Sequence, residues 1–444
     1  MLEGSLWSNL FFYSIPLMCS QILEVLFNLS DVAVVGKFAS YTALGAVGST
    51  SILVTLFISF VIGMGSGVTV CVAHKIGSQD EEGVKKAVTS SFYVCVATGV
   101  IIGLSCLCSA GFFLRLLHTK EELFAQAVLY LRIYALGLPG MAIYTFGNGV
   151  LSAKGETKRP LMYLTFAGIL NVILNLFFVI ICGRAADGVA MASAISQYVS
   201  AGLVVYHLLH REDHCKFHVS LSNMDKDISK HIVSIGLPTG LQNAVFAVAN
   251  LFVQMSVNSF DAVMVSGNAA AQNADTIIFN IMAAFYTGCS GFISCNYGAG
   301  NKDRMLKSYF IALLYSVLAG LIAGGLLFVF GREFLSLFTS EEMVIQAGMQ
   351  RVKIMGLAYM LSGFMDCSIA ASRGLGKSIV PMIIVLMGSC VFRVFWIYTV
   401  FAHFHTIPSL YLLYPVSWTI TGIAEIIDFV YNYRKTVKEM ACTD

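Results

Sequence analysis

Polar residues along this chain are confined to short breaks between long apolar runs. Each run is apolar on all sides rather than at every second position, which predicts helices and not the alternating strands of a membrane barrel. A helix needs about 20 such residues to cross a bilayer. Twelve segments qualify: 10–35, 43–73, 88–114, 123–150, 160–182, 188–210, 232–258, 271–297, 306–330, 343–371, 380–402 and 408–432. The longest runs reach about thirty residues, so those helices tilt or protrude. The longest polar stretch, Arg211 to Lys230, separates spans six and seven. It divides the chain into a first half (1–210), a linker (211–230) and a second half (231–444).

The halves resemble each other. Pro16 matches Pro238, Gly77 matches Gly298, Lys86 matches Lys307, and Lys158 matches Lys377, with offsets between 219 and 222. Six spans per half is an even number, so both halves take the same orientation and are related by an axis along the membrane normal. The expected fold is an all-α integral membrane protein. Its twelve transmembrane helices form two pseudo-symmetric six-helix bundles. Such folds place a substrate site between the halves and work by rocking one against the other.

Composition agrees: 57% of residues are hydrophobic and 12% charged, against about 25% charged in soluble domains. Mean hydropathy is +0.78. A soluble enzyme, a secreted domain and a disordered scaffold are excluded, and a net charge of +2 offers nothing to nucleic acid. Of 27 Lys and Arg, eighteen fall in one alternate set of loops. Only Lys37, Arg115, Lys120, Arg184 and Arg332 fall in the other, and Arg132, Arg351, Lys353 and Arg393 lie within spans. This bias places both termini in the cytoplasm of a plasma-membrane protein. The twelve cysteines show no CxxC and no zinc spacing. Most, including Cys19 and Cys182, read as small membrane-buried hydrophobes. The N-terminus has no basic n-region, so the first run is expected to remain as a span.

An ionisable side chain inside a span costs about 2.5–3.5 kcal/mol or more and is a functional candidate by default. Glu24 and Asp31 lie seven residues apart on span one and share a face. Asn171 and Asn175 on span five are spaced i, i+4, as are Ser193 and Gln197 on span six; such amides also serve as interhelical glue. Span seven carries Gln242, Asn243, Asn250 and Gln254. Span eight carries Asp275, and span ten carries Asp366. Among many Met and aromatic residues, a subset including Tyr286 is expected to line an adaptable pocket. Gly63-Met-Gly65-Ser-Gly67 sits within an apolar helix with no preceding strand, so it reads as close helix packing and not as a nucleotide loop. HExxH, GxSxG and Walker A motifs are all missing, so no enzyme is expected and no cofactor.

The chain resembles the multidrug and toxic compound extrusion (MATE) transporters over about 10–432. The resemblance rests on Pro16 and Gln21 followed by Asn28-Leu-Ser-Asp-Val-Ala-Val-Val-Gly36, and on Lys154-Gly-Glu-Thr-Lys-Arg-Pro160 leading into Asn171-Val-Ile-Leu-Asn175. Gly188 to Ser196, Gly267 to Ala271, and Asn296-Tyr-Gly-Ala-Gly-Asn301 continue it. It implies alternating-access antiport, with Na+ or H+ entering as amphipathic, often cationic organic compounds leave. Asp31 matches the family's first-half acid, with Asn171, Asn175 and Ser193 as its polar partners. Asp31, Asn171 and Asn175 are then the candidate Na+ ligands. The implied substrate cavity takes Glu24, Gln21, Asn243, Asn250, Gln254, Asp275, Tyr286 and Asp366. Glu24 stands where relatives often have glutamine, span seven has only amides, and Asp366 comes about one turn after the acid of some relatives. The expected partners are small organic substrates and lipid, with the chain as a monomer. The alternative is a lipid-linked oligosaccharide flippase of the same wider superfamily. That activity needs several basic cavity residues, and only the four intraspan ones are available. A channel is disfavoured by the duplicated halves.

Overall fold

The computed structural model describes residues 1–220 and 223–442; residues 221 and 222 of the expected linker lie outside the described residues. All the regular elements described are helical: α1 (Leu6–Phe38), α2 (Tyr41–Gly77), α3 (Glu81–Leu116), α4 (Glu121–Lys154), α5 (Lys158–Ile181), α6 (Ala186–Leu209), α7 (Lys226–Val257), α8 (Ala262–Gly298), α9 (Lys302–Ser336), α10 (Glu342–Met355), α11 (Tyr359–Gly374), α12 (Ile379–Phe404) and α13 (Ile407–Ala441). Eleven are long and apolar enough to cross a membrane, and α10 with α11 make a twelfth span bent by 51°. The protein is thus a multi-pass membrane protein.

Span ten, expected over 343–371, is broken where α9 crowds it. A Cβ added at Gly324 would stand 1.8 Å from the Gly356 carbonyl oxygen, and glycine is a usual site for such a kink. Elsewhere local chemistry sets the boundaries. Ser40, Asp80, Asp261 and Asn301 each accept a backbone N–H at the start of α2, α3, α8 and α9, satisfying an orphan donor. The duplication reaches into these turns. Gln79 (φ 55) precedes the Asp80 cap, and Gly300 (φ 71) precedes the Asn301 cap 221 positions later. The first half strains a glutamine where the second uses the residue that adopts positive φ without cost.

The chain divides into two compact units, Cys19–Ala244 and Met1–Met18 with Val245–Asp444. The division falls inside α1 and α7, so each helix serves both units. In the first unit Leu114, Leu131, Leu138 and Val189 form a core. Its α2 and α7 touch through glycines: a Cβ at Gly63 would lie 2.4 Å from the Gly240 nitrogen, and one at Gly67 would lie 2.5 Å from the Ile232 oxygen. The glycine run is therefore a packing stripe. In the second unit one core gathers Met282, Tyr359, Tyr411 and Trp418, and another gathers Leu10, Phe292, Tyr309 and Phe429. Large apolar side chains such as Phe112, Ile181 and Phe395 remain exposed, as a bilayer-facing surface requires. All twelve cysteines are free. Cys182 is exposed at the end of α5 and Cys19 is half-buried within α1.

Candidate functional site

Four residues from three helices meet in the first unit. Asp31 is presented by α1, Asn171 and Asn175 by α5, and Ser193 by α6. The close approach of α1 to α5 begins at Gly168, where an added Cβ would fall 1.8 Å from the Phe27 ring. Asp31 stands one turn beyond Phe27, and Asn171 and Asn175 stand one and two turns beyond Gly168. The helices therefore deliver carboxylate and amides to the same level. Asn175 Nδ2 donates to Asp31 Oδ1 at 2.5 Å and to Asn171 Oδ1 at 3.1 Å. Asn171 Nδ2 donates to Ser193 Oγ at 3.3 Å, and Ser193 Oγ donates to Asp31 Oδ2 at 3.2 Å. Asn171, Asn175 and Ser193 are buried, and Asp31 is partly so.

The network is complete around the carboxylate but leaves Asn175 Oδ1 buried with no partner. A buried acceptor without a partner costs about 1–3 kcal/mol. Turning the Asn175 amide over would swap its nitrogen for this oxygen and present two oxygens, from Asp31 and Asn175, side by side. The donor set then matches a hard monovalent cation or a proton on Asp31. No group of three His, Cys, Asp or Glu suited to a metal occurs among the described residues.

The other candidates are placed separately. Glu24 is exposed on α1, two turns before Asp31. Gln21 is half-buried, with its Oε1 lacking a partner. Asn243 is half-buried on α7. In the second unit Asp275 is already engaged: Arg351 and the Tyr359 hydroxyl both donate to its carboxylate, and Arg351 also donates to Asn268. Asn250 accepts from Arg393 at 3.0 Å. Gln254 donates to Asn258 at 2.9 Å and accepts from Gln272 at 3.3 Å. Tyr286 and Asp366 share the electrostatic surroundings of Arg373.

Sequence reasoning missed Glu425 on α13, which is fully buried with neither carboxylate oxygen bonded. The signal was available, since an acid inside an apolar run is the rule that picked out Glu24. It also counted Arg351 and Arg393 only as available cations, whereas each is 2% exposed and Arg132 and Lys353 are exposed.

Outside the spans, Arg211 fastens the start of the linker to the α4–α5 turn. It donates to Glu156 at 2.7 and 3.0 Å and to Asp213 at 2.5–3.1 Å. Lys154 joins both acids. The Arg211 guanidinium holds the Glu156 carboxyl down at about 2 and that of Asp213 well below the usual range.

A family model described as MatE matches residues 16–177 and again 238–399, two equal segments offset by 222 that coincide with the internal repeat. The chain is 29% identical over 367 residues to the "Probable multidrug resistance protein YpnP" of Bacillus subtilis, covering 81% of each chain. It is 25% identical to the "Probable multidrug resistance protein NorM" of Thermotoga maritima, covering 84% of this chain and 80% of that one. A solved MOP superfamily transporter from Pyrococcus furiosus superposes with a TM-score of 0.90 at 21% identity, over 98% of this chain and 97% of that one. With both halves matched and the twelve-span fold shared, the chain belongs to the MatE family, the multidrug and toxic compound extrusion transporters.

Proposed function

We propose that this protein exports small amphipathic organic compounds, often cationic, across the plasma membrane in exchange for Na+ or H+, as a monomer with both termini cytoplasmic. The multidrug-resistance names of the relatives favour efflux over lipid-linked sugar translocation. The observation that carries the coupling mechanism is the Asp31–Asn175–Asn171–Ser193 network, which ties α1, α5 and α6 through one carboxylate. With Asp31 ionised, the Asn175 N–H and Ser193 O–H serve the charge. With a proton or Na+ aboard, the charge is cancelled and the amide oxygen becomes the better partner. Loading and unloading thus favour different arrangements of the three helices. An ion that binds one conformation better shifts the balance between outward-open and inward-open forms. A tenfold ion gradient carries about 1.4 kcal/mol, enough to match a tenfold substrate gradient at one-to-one exchange of like charges. Glu24 supplies negative charge for cationic substrates, and no chemical conversion is involved.

The test is transport of a cationic dye by purified protein in proteoliposomes, with Na+ and H+ gradients imposed separately. One of the two should drive accumulation. Asp31→Asn should abolish it while leaving dye binding in detergent largely intact. Accumulation by Asp31→Asn vesicles against a gradient would remove Asp31 from the coupling role.

A further inference from the structure

Two arginines are fully buried in the second unit, and among the described residues only one has an ion-pair partner. Arg351 is paired with Asp275 and lies over the ring faces of Tyr411 and Tyr414, at 5.0 and 5.6 Å. Arg393, also 2% exposed, lies over the Tyr414 ring at 4.8 Å and the Phe246 ring at 5.2 Å. Its only hydrogen bond among the described residues runs from Nη1 to the Asn250 amide oxygen. Nε is buried without a partner, and Nη2 makes no bond. Asp366 on α11 is in electrostatic range but makes no contact with it.

We infer that Arg393 is an oxyanion receptor, taking the carboxylate or phosphate group of an amphipathic organic compound. Three features converge. A buried cation without a counter-ion is costly to maintain, so a fold keeps one where a ligand completes it. The unused Nε and Nη2 donors form one edge of the guanidinium, the edge whose two parallel N–H groups fit two oxygens of a carboxylate or phosphate. The rest of the group is held: Asn250 fixes the opposite corner and aromatic rings cover it, so little freedom remains to be lost on binding. The backbone around it is shaped as well. Arg393 sits on a short α-helical segment between two π-helical ones, Leu386–Val391 and Ile397–Phe401, and such wide turns re-aim side chains and recur at functional sites. Asn250, on the opposite corner, is itself exposed. The receptor stands on its own geometry; only the identification of its ligand with a transported compound rests on the efflux reading. It would extend the substrate class to compounds carrying an anionic group.

The test is calorimetric binding of 1-naphthoate and its neutral shape-match 1-naphthamide to the intact protein in nanodiscs of zwitterionic lipid, with no ion gradient. The acid should bind about 10- to 100-fold more tightly than the amide, the span of a bidentate charge-assisted contact. Arg393→Gln should reduce that ratio to near one. Arg393→Lys, which keeps the charge but not the paired edge, should leave an intermediate ratio and covers the case of a glutamine variant that does not fold. Equal binding of acid and amide by the unaltered protein, or an undiminished preference in folded Arg393→Gln, would overturn the receptor. If anionic phosphatidylglycerol in the disc abolished naphthoate binding only when Arg393 was present, the occupant would be a lipid headgroup and the assignment to soluble compounds would fall. Transport plays no part in the measurement, so failure of the efflux reading leaves its outcome separate.

Discussion

Replacing Arg211 by alanine should release the start of the linker, and the structure sets the size of the effect. Five hydrogen bonds run from this guanidinium to the carboxylates of Glu156 and Asp213, and the side chain is 8% exposed. The fall of Glu156 from an ordinary 4.5 to about 2 is worth roughly 3 kcal/mol at about 1.4 kcal/mol per tenfold. Lys154 also lowers this carboxyl and stays in place, and Glu156 is 27% exposed, so with screening by water and salt the part lost with Arg211 is about 1–2 kcal/mol. Asp213, similarly placed, contributes a comparable share, for a total of about 2–3 kcal/mol. Cys215 reports the result. Its thiol is 4% exposed, its N–H donates to Asp213 at 3.1 Å, and burial pushes the thiol up to about 11. If Arg211 holds this segment closed, Arg211→Ala should raise the rate of maleimide attack on Cys215 about 30- to 150-fold. Mass spectrometry of the linker peptide separates that signal from the exposed Cys108, Cys182 and Cys442. The pH dependence follows from the sign. The folded-state values lie below the unfolded ones, so the contribution is complete above about pH 4.5 and is lost as pH falls toward 2. The thermal-stability gap between the two proteins should therefore narrow only below that point. An unchanged Cys215 rate in a folded variant, or a gap undiminished at the acid end, would refute the reasoning.

Gly168→Val should drive Phe27 off α5, cost about 1–3 kcal/mol in thermal stability through overpacking and abolish ion-driven dye transport; adding Phe27→Ala should recover much of both. Asp275→Asn leaves Arg351 buried without its counter-charge and should destabilise by about 3–5 kcal/mol, whereas Asp275→Leu with Arg351→Met should cost less than either single change. Thermal melts of the four proteins decide this. Glu24→Gln should weaken binding of cationic dyes more than of neutral analogues of the same shape, and equal losses would assign Glu24 to packing.

The order of apolar runs and polar breaks already contained the membrane class, the twelve spans and the duplication. Those properties depend on stretches of about 20 residues, over which composition overrides any single contact. The meeting of Asp31 with Asn171, Asn175 and Ser193 was half legible. The i, i+4 amides and the intraspan acid marked the helix faces. Bringing three helices to one level depended on Gly168 admitting the Phe27 ring, a contact between residues far apart in sequence. The kink at Gly356 likewise arises from α9 pressing on it. Charge pairing was not legible at all. Arg351 and Arg393 look alike in an apolar run, and only packing gave Asp275 to one and left the other with a bare edge. Glu425 shows the same limit, since nothing in its neighbours along the chain says that both its oxygens lie out of reach of a donor. Partition into a bilayer sums over a whole segment, so sequence determines it. Which donor meets which acceptor turns on ångström-scale contacts between helices, and those exist only once the helices have packed.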